Sequence, residues 1–116
     1  MQIKIEIHTT DPISFLKSSV FRSNEIRISD QVTLRNDGIF NQYGVDFPQV
    51  VYFVLDISKQ IAAGTASGIA AAWLYENLIK NKKDNKIEKL VIERTEVEFE
   101  RGSIKKIIEE KLKTEI

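Results

Sequence analysis

The chain contains no cysteine, a single histidine, two prolines and no excess of either charge, with 17 basic residues against 17 acidic ones. The missing cysteines exclude a disulfide framework, thiolate catalysis and any cysteine-ligated zinc site. One histidine, His8, cannot by itself build a histidine metal site. The cancelled charge removes any global attraction to nucleic acid or to an anionic membrane. No secretory signal is expected either. Met1-Gln2-Ile3-Lys4-Ile5-Glu6-Ile7 alternates between apolar and polar residues and lacks the apolar core of a signal peptide, so a reducing cytoplasm is the expected location. Glycine is scarce, and Gly64 and Gly68 fit neither a phosphate loop, which needs a following lysine, nor a dinucleotide fingerprint. Asp30, Asp37, Asp46 and Asp56 do not have the spacing of a calcium loop. No catalytic residue, cofactor, metal or nucleic-acid partner is therefore expected.

What is present is an ordinary globular composition: 116 residues, 42% apolar and 29% charged, read as one domain over residues 1–116. Ile3, Ile5 and Ile7 alternate with Lys4, Glu6 and His8, the pattern of a half-buried strand with one wet face. Thr10-Asp11-Pro12 has the cap and first-turn chemistry of a helix start, followed by Ile13, Phe15, Leu16 and Val20. Ile26 and Ile28 open a second alternating run, extended by Val32 and Leu34. Asn36-Asp37-Gly38 carries the residues of a tight hairpin turn and is expected to separate that run from Ile39-Phe40. Residues 44–48 break the meander.

Residues 50–79 form the least charged stretch, interrupted only by Asp56, Lys59 and Glu76. Val50, Val54, Ile57 and Ile61 fall three or four apart, which predicts an amphipathic helix from Pro48; a buried strand over residues 50–55 is the alternative. After Gly64 the apolar residues surround the helix axis. Gly64 and Gly68, with Ala63, Ser67 and Ala71, make a small-residue face able to meet another backbone closely; alternatively Gly64 ends one helix as its cap. Asp56, Lys59 and Gln60 argue against a membrane span. Beyond a lysine-rich loop, Leu90 and Ile92, then Val97 and Phe99, suggest two strands. Gly102-Ser103 is expected to cap a last helix bearing Ile104, Ile107, Ile108 and Leu112. The expected fold is α+β: a small, mostly antiparallel sheet with helices packed on one face.

Three functional readings follow. The first is an interaction module that binds itself or a larger protein, with Gly64, Gly68, Trp73 and Tyr75 as the interface; buried aromatic anchors of this kind dominate many interfaces. The second is a small inhibitor of a toxin or nuclease that uses the glutamates of residues 93–100. The third is an enzyme, which would need convergent polar groups around His8, Asp46 or Asp56.

The order of elements over residues 48–112 also resembles the effector-associated constant component domains of bacterial conflict systems. Gly64-Thr65-Ala66-Ser67-Gly68, Trp73-Leu74, the basic residues Lys80, Lys82 and Lys83, and Val97-Glu98-Phe99 carry that resemblance. It implies a small non-enzymatic module that helps assemble defence or signalling effectors, with no catalytic residues. The asparagine-interrupted lysine tract, the acidic second strand and the N-terminal meander of residues 25–45 depart from the pattern.

Overall fold

The computed structural model describes residues 1–10, 24–40, 49–79, 83 and 86–114. Among these residues, six strands form one antiparallel sheet: β1 (Gln2–Thr9), β2 (Glu25–Ser29), β3 (Val32–Phe40), β4 (Gln49–Ile57), β5 (Ile87–Ile92) and β6 (Thr95–Val97). Their order across the sheet is β2-β3-β4-β1-β5-β6. Two helices, α1 (Ala63–Leu74) and α2 (Arg101–Thr114), pack against the sheet and against each other. The α+β expectation therefore holds.

Register explains which side chains form the core. β1 pairs Ile3 with Leu55, Ile5 with Phe53 and Ile7 with Val51 on β4, and Ile5 and Ile7 meet Ile92 and Leu90 on β5. Because strand side chains alternate, these residues share one face with Leu34 and Val32 of β3. All are buried, and they form a single cluster with the undersides of both helices. The opposite face carries Lys4, Glu6 and His8 beside Val54, Tyr52 and Val50.

Several local expectations are corrected. Residues 49–57 are a central strand, not a helix. Val50, Val51, Phe53, Val54, Leu55 and Ile57 are all buried, so apolar residues occupy both faces and the alternation that identifies a strand is lost. The β-branched residues and neighbouring strands on both sides decide the outcome. Asn36-Asp37-Gly38 does not reverse the chain. It is a bulge inside β3, between the pairs Asn36–Phe53 and Gly38–Tyr52. Gly38 has φ of +114°, and its N–H donates to Asn36 Oδ1 at 2.8 Å, so the glycine's freedom is used to insert a residue and not to close a hairpin. The reversal from β2 to β3 lies instead at Asp30 and Gln31. The expected helix start at Thr10-Asp11-Pro12 and the break at residues 44–48 lie outside the described residues.

Helix α1 is built from small residues. Ala66, Ser67, Ala70 and Ala71 are fully buried with Leu74, which lets the helix lie close to the sheet. The buried Ser67 hydroxyl donates to Gly64 O at 3.1 Å, so its burial leaves no polar group unmet. Gly64 is not a helix end but sits in the first turn. The last turn widens into a π-helical turn, Tyr75–Ile79, where Asn77 Nδ2 donates to Trp73 O at 2.9 Å. In α2, Ile104, Ile108 and Leu112 point to the core at four-residue spacing, while Lys111 and Lys113 oppose the negative end of the helix dipole. Gly102 and Ser103 fall inside its first turn, because the helix already begins at Arg101, so they do not cap it as expected.

Candidate interaction surfaces

The two glycines of α1 face the chain's own C-terminal helix. A methyl group added at Gly64 would lie 3.5 Å from Glu109 Oε1, and one at Gly68 would lie 3.9 Å from Lys105 Cε. The small-residue face thus meets α2 within the molecule. Trp73 lies roughly 140–180° around the helix from these glycines, at 100° per residue. Trp73, Tyr75 and Ile69 are only partly buried and rest against the edge of the core cluster. Since α1 packs against α2 on one side and over β2 and β3 on the other, its Ile69 and Trp73 flank lies toward the β2 edge of the sheet. Ile26 and Ile28 of β2 are partly buried there too. All four proposed interface residues are partly buried: the glycines lie beside α2, and Trp73 lies on the opposite flank of the helix.

A second surface lies at the other edge of the sheet. β5 and β6 are joined by a two-residue turn, Glu93-Arg94, closed by the pair Ile92–Thr95. Both turn residues have positive φ, 48° and 69°, the geometry that makes the turn compatible with strand twist. The ladder continues to Leu90–Val97, and the chain then leaves β5. An open groove of about 610 Å³ follows, lined among the described residues by Glu88, Lys89, Glu96, Val97, Glu98, Phe99 and Glu100. Glu96, Glu98 and Glu100 are visible in the sequence as an alternating acidic run. Glu88 is not, because only the β5–β6 register brings it alongside them.

His8 lies on the sheet face away from the helices, between Val50 on β4 and Lys89 on β5. Partial burial holds its pKa below the ordinary value of 6.5. Lys89 acts in the same direction, while the carboxylates of Glu6 and Glu96 oppose it. Asp56 shares this face but sits opposite Gln2, six residues along β1 from His8. At about 3.4 Å per residue that is roughly 20 Å, too far for a shared proton-transfer step. Asp56 is instead paired with Arg35, Nη1 to Oδ2 at 2.7 Å. Asp46 lies outside the described residues. Among the described residues, no three histidine, aspartate or glutamate side chains are placed to hold a metal ion, and no helix is long and apolar enough to cross a membrane. Comparison of the chain with family models, curated proteins and solved structures finds no match.

Proposed function

We propose that this chain is a non-enzymatic protein-interaction module that self-associates or docks a larger effector through helix α1. The observation that carries this reading is the half-exposed Ile69 and Trp73 flank of α1, which adjoins Ile26 and Ile28 at an edge of the sheet. Large apolar side chains left partly exposed together, beside an edge strand, supply both the area and the backbone groups that a partner needs. The resemblance to conflict-system assembly domains agrees with this role. The test is a tagged pull-down from the native host alongside the oligomeric mass of the purified chain. Trp73→Ala, folded by circular dichroism, is expected to lose the partner or the higher mass. Undiminished assembly in that folded variant rejects the α1 surface.

The acidic groove favours a second reading, an inhibitor-type protein that binds a basic partner. Its glutamates surround Val97 and Phe99, so a lysine- or arginine-bearing segment would find both charge and apolar contact. Reversal at Glu96 and Glu98 to lysine is expected to slow association and flatten its salt dependence. Unchanged association would exclude that groove.

A further inference from the structure

We propose that the β6 edge accepts one further strand, an extended segment of another protein in which basic and apolar residues alternate. This rests on the acidic-groove reading and gives that groove a partner chemistry and a mode of binding.

The edge is open to a partner. Residues 86–114 are described without a break, so the segments that enter and leave β6 are both in view. Thr95, Glu96 and Glu98 are exposed, and among the described residues no strand lies beyond β6. Ile92 and Thr95 close the two-residue turn as a hydrogen-bonded pair, and bonding direction alternates along an antiparallel strand. Val91–Glu96 is therefore a non-bonded pair, which turns the Glu96 N–H and C=O to the outer edge. The free edge ends two residues later, where Glu98 O accepts the Glu100 N–H at 2.8 Å just before α2 begins. It suits a short segment and not a long strand.

A cavity flanks this edge on each side. The acidic groove lies on the sheet face away from the helices. A second opening of about 280 Å³ lies on the helix side, where Ser103, Lys106, Ile107 and Glu110 of α2 form its far wall. Glu96, Val97 and Glu98 line both. A strand added here sends alternate side chains into the two cavities. The residue opposite Glu96 shares the face of Glu96, Val91 and Glu6, so it meets carboxylates. Its neighbours, opposite Thr95 and Val97, turn to the helix side, where Val97 and Ile107 offer apolar contact. A bulge concentrates the charge further. His8 pairs with Lys89 but Thr9 pairs with Ile87, so Glu88 is the extra residue of β5 and is exposed beside Lys89. The β6 strand of a second copy is excluded as the occupant, because its own glutamates would face these ones. The complement is a strand with lysine or arginine on one side and apolar residues on the other.

The test is fluorescence anisotropy of a labelled Lys-Val-Lys-Val-Lys peptide titrated with the full 116-residue chain. Binding is expected at low salt and should weaken as salt rises. The same residues reordered as Lys-Lys-Lys-Val-Val keep the charge but cannot place both valines on one side, and should bind roughly tenfold more weakly. A methyl group on the backbone nitrogen of the central lysine removes the donor to Glu96 O and should cost roughly tenfold as well. Saturating peptide should slow amide hydrogen exchange at Glu96, whose N–H then enters the new ladder. Equal binding by the two peptides, or indifference to the methyl group, would overturn strand addition and leave the acidic groove as a site for charge alone. No binding of either peptide in about 10 mM salt would overturn the acidic-groove reading with it.

Discussion

Glu93 and Lys4 grip each other through the backbone. The Lys4 N–H donates to Glu93 Oε1 at 2.8 Å, and the Glu93 N–H donates to Lys4 O at 3.0 Å. The β5–β6 turn is thereby fastened to β1, although neither turn residue is glycine. Arg94 has φ of 69°, a conformation that costs a non-glycine residue roughly 1–2 kcal/mol. Arg94→Gly removes that strain while leaving the Glu93 contact, partly offset by the entropy of a glycine in the unfolded chain. The variant is expected to gain about 0.5–1 kcal/mol, measured as a higher urea midpoint at unchanged m value. Glu93→Ala should lose about 1 kcal/mol, because it leaves the Lys4 N–H without its carboxylate.

The glycines divide by conformation. Gly38 has open space around its missing side chain but a φ of +114°, so Gly38→Ala should cost about 1–3 kcal/mol through backbone strain alone. Gly64 and Gly68 are helical, and an added methyl would meet α2 at ordinary contact distance. Their change to alanine should therefore stabilise the chain by about 0.5–1 kcal/mol each through helix propensity. Thermal unfolding of the three variants checks the order. If Gly68→Ala gains stability yet loses assembly, a partner approaches that glycine more closely than α2 does.

These contrasts show which parts of the fold were readable from the sequence. Ile3, Ile5 and Ile7 announced β1 because Lys4, Glu6 and His8 alternate with them. β4 did not announce itself, since Val50 and Val54 are buried on the face opposite Val51 and Phe53, and a doubly buried strand has no period. Asp37-Gly38 supplies the same positive φ to a bulge as to a hairpin, so composition alone does not separate the two. Glu93-Arg94 carries no glycine or asparagine, and its turn geometry is set by the pairing on either side. At the candidate surfaces, the acidic alternation of Glu96, Glu98 and Glu100 was legible. The direction of Gly64 and Gly68 was not, because it depends on where α2 docks.

His8 gives a pH dependence of known sign. Its folded pKa lies below 6.5, so between the two values the unfolded chain binds more protons than the folded one. Stability therefore rises with pH through that window and falls as the pH drops from about 7 through the folded pKa. His8→Gln should remove this component, seen as a shallower change in urea midpoint over the same range. Lys89→Met removes a repelling cation and should raise the His8 pKa in an NMR titration, whereas Glu6→Gln should lower it.

The acidic groove sets repulsion against whatever it serves. Glu88, Glu96, Glu98 and Glu100 surround one opening, with Lys89 the one cation among the described residues of its lining. Like charges gathered around one opening destabilise the folded chain most at low salt, where the screening length is longest. Glu96→Gln and Glu98→Gln are therefore expected to raise stability in about 10 mM salt, and the gain should shrink by about 1 M, where the Debye length is near 3 Å. Urea titrations at both salt concentrations measure this directly. A gain in Glu96→Gln that survives high salt would assign its effect to strand propensity at β6. A loss of stability at low salt would mean that these carboxylates are already satisfied within the chain, which would remove the electrostatic case for a basic partner in the groove.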